Sequence, residues 1–345
     1  LSVAYFDAAT VTNFLMNGSA PTGYVLGVTG TTVYIYSDPA SAQPTNTLET
    51  NEVVVFRFDV AVSENARPSS TATNIAAIQA WTLSGTGSQE RLEPRMASTN
   101  TFSIPVVGVS KSLWGSSETN VVESTGANLQ VGERVTYALT VTLPEGTVSN
   151  LALTDNIRFG QLYVTNRLET NGYAGLLPTP PVVTGGATGG APVTLTFTGL
   201  TVTVSNNIAA DNVFTVLVDA VVLNTNYNFG QQVGAQQRVW TNRASFTFAG
   251  WVTNFSNPVI TTNVEPRLRI TKTFSTNVAD AGDVLTVSLA VSNTGLATAY
   301  DVVVTDHLSV AYFDAATVTN FLVNGSAPTG YVLGVTGTTV YIYSD

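Results

Sequence analysis

Residues 308–345 repeat residues 1–38, LSVAYFDAATVTNFLMNGSAPTGYVLGVTGTTVYIYSD, with one change, Met16 to Val323. The period is 307 residues (308 − 1). Identity this close over 38 positions marks a recent duplication, and duplication at a fixed period implies an array. A 307-residue period exceeds an ordinary single domain, so each unit is expected to hold two modules.

A weaker repeat inside the unit supports that division. Residues 266–306 and 105–155 both begin with Pro and alternating apolar residues, followed by a Ser/Thr-Lys-Ser/Thr triplet. Each then has a Gly-acid turn (Gly282-Asp283, Gly132-Glu133), an alternating strand and a Thr-Asp. Downstream come Thr73-Asn74-Ile75-Ala76 and Thr241-Asn242-Arg243-Ala244. The expected organisation is a complete module B over 104–264 and a module A divided between copies. Residues 265–345 are its front half, and residues 1–103 are the back half belonging to the preceding copy. Leu1 and Asp345 then fall inside modules, and an export signal or anchor would lie outside this window.

The chain is expected to be all-β. VTYALTVTL (135–143), VTLTFTGLTVTVS (193–205), NVFTVLVDAVVL (212–223) and VLTVSLAVSN (284–293) largely alternate apolar and small polar residues. That period of two buries one face and wets the other. The residues are β-branched and aromatic, as strands prefer. Turn signals such as Asn17-Gly18 and Pro144-Glu145-Gly146 separate the runs. Short strands with regular turns predict tandem Ig-like β-sandwich modules, two per 307-residue repeat. The Gly/Pro-rich stretch 178–192 is expected to be an exposed loop or hairpin within module B.

Composition excludes several functions. There is no Cys, which removes disulfides and zinc-thiolate sites. The net charge of −10 argues against nucleic-acid binding, which needs a basic face. No apolar run approaches the roughly 20 residues of a membrane span. The single His307 rules out a Ser-His-Asp triad repeated in both modules. Neither Asp280 with Asp283 nor Glu118 with Glu123 has the spacing of a calcium loop, so no metal is expected. Trp81, Trp114, Trp240 and Trp251 suit packing better than sugar platforms. Nothing points to an enzyme or a cofactor.

The lysines carry the sharpest chemical signal. The chain has two lysines and eleven arginines, and Lys111 and Lys272 occupy the same position of the two modules. A surface charge could be either residue, whereas a nucleophilic amine has to be lysine. The bland alternative is a solvated strand lysine, with Thr-Asn-x-Ala forming a local turn.

The pattern of Lys strand, Gly-acid turn, Asn293-Thr294-Gly295, Val-Val-Val-Thr-Asp and final Thr-Asn-x-Ala resembles the tandem bacterial surface Ig-like repeat family. The likeness is closest at 267–306 and looser in module B. Similar domains of surface adhesins and pilins carry a Lys–Asn isopeptide bond promoted by a buried acid. The resemblance implies Lys111, Asn242 and Asp155 for module B. For module A it implies Lys272 and Asp306 with the Asn equivalent to Asn74 from the adjacent copy. Glu133 and Asp283 are rival acids.

These readings point to a structural repeat of an extracellular or cell-surface fibre, stalk or filament, whose partners are neighbouring copies. An adhesin repeat that binds a glycan or protein is one alternative. A subunit assembled by strand complementation is the other.

Overall fold

The structure, a computed structural model, describes residues 6–37, 48–63, 66, 68–80, 91–118, 126–157, 160–169, 180–202, 212–225, 238–248, 253–314 and 317–344. Trp81, Glu123, Trp251 and residues 178–179 lie outside this set.

Strands dominate. In the first hundred residues, β1 (Phe6–Met16), β2 (Tyr24–Thr29), β3 (Thr32–Ser37), β4 (Phe56–Val62), β5 (Thr71–Ile78) and β6 (Met96–Ser103) form the pairs β1–β4, β2–β3 and β5–β6. Then follow β7 (Gly108–Ser116), β8 (Asn128–Leu129), β9 (Arg134–Thr142), β10 (Gly146–Asp155), β11 (Gln161–Glu169), β12 (Val182–Gly185), β13 (Val193–Val202), β14 (Val213–Val222), β15 (Arg238–Asn242), β16 (Ala244–Thr247), β17 (Asn254–Phe255) and β18 (Val259–Asn263). The remainder is β19 (Leu268–Phe274), β20 (Val287–Asn293), β21 (Val304–His307), β22 (Tyr331–Thr336) and β23 (Thr339–Ser344). No helix among the described residues is long and apolar enough to cross a membrane.

The chain separates into two compact units. One comprises Leu1–Trp114, Thr136–Ala220 and Thr241–Val259, and the other Gly115–Val135, Val221–Trp240 and Ile260–Asp345. The first contains a β-sandwich of the Ig-like kind. One sheet has the order β12-β13-β10-β16-β17 and the other β11-β14-β9-β7. Alternation predicts which side chains meet between them: Tyr137, Leu139 and Val141 of β9, Leu151 and Leu153 of β10, Leu195 and Phe197 of β13, and Phe214, Val216 and Val218 of β14. All of these are 2% exposed or less. Each such side chain stabilises the fold by about 1.5–3 kcal/mol. Phe197 and Phe214 meet edge-on across the sandwich, with ring centroids 5.4 Å apart. The Gly/Pro-rich stretch forms a hairpin, with β12 pairing along β13 from Val182↔Thr196 to Gly185↔Val193. Trp240 is buried, whereas Trp114 is 60% exposed and belongs to no core.

The two Gly-acid turns are built alike. Gly132 and Gly282 have φ of 88° and 96°, which glycine adopts without steric cost. The acids cap their own turns. Gln130 N donates to Glu133 Oε2 (2.7 Å), and Asp280 N donates to Asp283 Oδ2 (2.8 Å). Burial raises the Glu133 pKa above its ordinary value, against the hydrogen bonds that favour its charge.

The second unit contains the antiparallel pair β19–β20 and the sheet β21-β23-β22. Apolar positions on its β19 and β20 stay open where their sequence counterparts in the sandwich are closed. Leu268 is 49% exposed against 4% for Val107, and Val291 is 42% exposed against 0% for Val141.

Candidate functional site

Lys111 is the fourth residue of β7, and its side chain points inward while Ser110 and Ser112 face solvent. Asp155 closes β10, where Leu151, Leu153 and Asp155 alternate inward. The two strands belong to opposite sheets, so inward-facing residues meet across the sandwich. Lys111 Nζ donates to Asp155 Oδ1, and both side chains are fully shielded from solvent. The Tyr137 ring lies under the amine, 4.3 Å from Nζ to centroid, and its hydroxyl donates to Gln161 Oε1 at 3.1 Å.

Asn242 joins this interior by parity. Trp240, Asn242, Ala244, Phe246 and Phe248 are all buried, while the residues between them are exposed or half-buried. The chain leaves the β15-β18-β8 sheet after Asn242 and enters β10's sheet at Ala244, which pairs directly with Asp155. Asn242 therefore sits on the inward face, two residues before the partner of Asp155. Its carboxamide is wholly buried, and neither Oδ1 nor Nδ2 has a hydrogen bond. Asp155 Oδ2 also has none.

The energetics of this group are unfavourable for a resting core. Each unsatisfied buried polar group costs about 1–3 kcal/mol. A buried ion pair loses hydration that its attraction only partly offsets. Burial lowers the Lys111 pKa from its ordinary value, and the charge and hydrogen bond of Asp155 oppose that shift. Burial pushes the amine toward its neutral, nucleophilic form beside Asp155, and the Asn242 carboxamide is buried in the same sandwich.

The second set is built alike but open. Lys272 Nζ donates to Asp306 Oδ1 at 2.5 Å, with side chains 34% and 12% exposed. Asn74 is half-buried on β5 in the other unit, and among the described strands β5 pairs only with β6. The rival acids Glu133 and Asp283 bond to backbone amides of their own turns, as described above. His307 Nδ1 lies 2.8 Å from Thr339 Oγ1, a strand-end contact. Among the described residues no three His, Cys, Asp or Glu gather as a metal would need.

Sequence reasoning missed Ser256 and Asn257, because nothing in their local pattern marks them. The Asn257 side chain pairs with the Lys111 backbone like an added strand: Oδ1 accepts from Lys111 N (2.9 Å), and Nδ2 donates to Lys111 O (2.6 Å). Ser256 Oγ accepts from Ala244 N (3.0 Å) and donates to Asn257 O (2.8 Å). These two residues tie the lysine strand to the chain just beyond Asn242. Asn257→Ala should cost about 1–2 kcal/mol in urea unfolding, from two lost hydrogen bonds. A midpoint equal to wild type would show that the tie is dispensable.

No protein family and no curated protein matches the chain. Solved structures that it resembles are Gram-positive pilin and adhesin domains. The major pilin subunit BcpA of Bacillus cereus matches at 12% identity and a TM-score of 0.32, covering 91% of this chain and 81% of that one. The C-terminal domain of the Streptococcus agalactiae AgI/II polypeptide BspA matches at 11% and 0.32, covering 76% and 82%. A fragment of the S. agalactiae major pilin GBS80 matches at 13% and 0.31, covering 69% and 75%.

Proposed function

We propose that this chain is a structural repeat of an extracellular surface filament, and that its 104–264 module is locked by an amide bond between Lys111 and Asn242. The observation that carries this reading is the buried Lys111–Asp155 pair in the same sandwich interior as the Asn242 carboxamide, which has no hydrogen bond. Asp155 takes a proton from the ammonium. The free Nζ attacks Asn242 Cγ, and the neutral Asp155 donates its hydrogen to the carboxamide oxygen. The Nζ–Cγ bond forms, Nδ2 takes the proton that Nζ sheds, the Cγ–Nδ2 bond breaks, and Nδ2 leaves as ammonia while the re-forming carbonyl returns the hydrogen to Asp155. One turnover consumes the site, so this is maturation of the fold and not catalysis on a substrate.

The bond would tie β7, the first sandwich strand, to the end of β15 near the last. Tension applied along the chain then meets a covalent strap instead of a shearing ladder of hydrogen bonds. The near-identical repeats suit a spacer, where length matters and individual binding sites do not. By the same logic Lys272 and Asp306 would take the Asn equivalent to Asn74 from an adjacent copy.

Intact-mass spectrometry of the denatured chain tests the bond. Each bond lowers the mass by about 17 Da, the ammonia lost when an amine displaces a carboxamide nitrogen. Fragmentation should recover a branched peptide joining Lys111 to Asn242. A full, unreduced mass would sink the proposal.

A further inference from the structure

The two sheets that carry the Thr-Asp acids differ by one strand. In the sandwich, β10 lies between β13 and β16. Asp155 pairs with Val193 on one side and with Ala244 on the other. In the second unit the acid has one strand neighbour. Asp306 pairs with Val340 of β23, which follows β21 in the chain as β13 follows β10, and β21 ends its sheet. Its outer edge pairs with no described strand.

The strand that belongs there by sequence exists elsewhere in the chain. Thr73-Asn74-Ile75-Ala76 on β5 matches Thr241-Asn242-Arg243-Ala244, which leads into β16. β5 pairs with β6 on one edge, as β16 pairs with β17, and its other edge pairs with no described strand. Ile78, the counterpart of buried Phe246, is 62% exposed. β21 therefore offers an acceptor edge and β5 a donor edge, neither of them paired with a further described strand.

We infer that β5 of a second copy of this chain adds to the outer edge of β21, antiparallel, with Ala76 opposite Asp306, Ala77 opposite Thr305 and Ile78 opposite Val304. The register is copied from Asp155↔Ala244, Thr154↔Ser245 and Leu153↔Phe246. It turns Ile78 onto the apolar face and places Asn74 two residues before the partner of Asp306, as Asn242 stands to Asp155. The duplicated ends leave the register unchanged. β3 of the donor and β23 of the acceptor share one sequence, so either leaves β21 with the same outer edge. Donor and acceptor edges are different surfaces, so the contact is head-to-tail and propagates instead of closing into a symmetric dimer. The inference rests on the proposed function only in equating Asn74 with Asn242.

The absence of cysteine makes the register directly testable. Opposed antiparallel residues have Cα atoms about 4.5–5.5 Å apart, within the roughly 4.4–6.8 Å that a disulfide spans. Ala77→Cys and Thr305→Cys chains, mixed and oxidised by glutathione, should give a disulfide dimer of the two variants on a non-reducing denaturing gel. Ile78→Cys mixed with Thr305→Cys, one residue out of register and facing the other way, should give about tenfold less, since a one-residue shift flips the side chain. Equal yields from the two mixtures, or no dimer from either, would overturn the inference. A deficit of about 17 Da in the single-chain species, localised by fragmentation to the peptide joining Lys111 to Asn242, reports that bond alone, so the two ideas fail separately.

Discussion

Lys111→Met is expected to lower the thermal unfolding midpoint of the 104–264 module by about 10–20 °C and to abolish its mass deficit. The bond closes a loop of 131 residues (242 − 111). By loop-closure entropy a cross-link of that span contributes about 5 kcal/mol. A module of this size shifts by about 2–4 °C per kcal/mol. In the bonded module Nζ is an uncharged amide nitrogen, and methionine keeps the apolar stem without restoring a buried ammonium, so the measured drop reflects the bond. Asn242→Ala removes the bond and retains the ion pair, so it should fall at least as far. If both variants regain the 17 Da and both melt within about 2 °C of wild type, the bond does not stabilise the module, and the mechanical reading fails.

The second large effect concerns Asp155 and is cleanest where no bond can form. In an Asn242→Ala background, adding Asp155→Ala should cost about a further 3–5 kcal/mol, because it strands a buried ammonium. Adding Lys111→Met as well should recover most of that loss, since no charge then remains buried. Urea midpoints of the three variants measure the coupling, and additive losses would contradict it. The penalty should also depend on pH. Burial depresses the folded-state pKa of Lys111 below the ordinary 10.5. Between the folded value and 10.5 the unfolded chain binds more protons than the folded one, so stability rises with pH across that window and levels off below it. The rise should vanish in the Lys111→Met variant.

Much of this site was legible in the sequence because the repeat works as an internal comparison. A lone Lys111 says little, but two lysines in equivalent places, in a chain that otherwise uses arginine, select an amine. The Thr-Asp and Thr-Asn-x-Ala motifs were visible for the same reason. What the sequence left open was which acid meets the amine. Glu133 and Asp283 follow glycines at positive φ, and that geometry turns each carboxylate back onto its own turn, whereas Asp155 and Asp306 lie on strands whose side chains reach the lysines. Asn257 had no signal at all. It meets Lys111 from 146 residues away, and no local pattern encodes such a contact.

The duplicated ends show where local sequence stops deciding. Asn17-Gly18 and Asn324-Gly325 adopt the same positive-φ turn, at 50° and 82° and at 50° and 77°. The hairpins that follow share one register, Tyr24↔Ser37 in the first copy and Tyr331↔Ser344 in the second. Turn chemistry and a short loop suffice for these, since the partners are neighbours in the chain and closure costs little entropy. Residues 6–16 form β1, but among the described residues of 313–323 the same sequence, apart from Met16 and Val323, forms no strand. The difference is the partner. β1 pairs with β4, some 40 residues further on, and no described strand pairs along 313–323. An extended strand has no hydrogen bonds of its own, so it persists only where another strand satisfies its backbone groups. Sequence alone determined the turns, the alternation and the lysine positions. Which edges are paired, and which are left open for a second copy, was decided only by the tertiary structure.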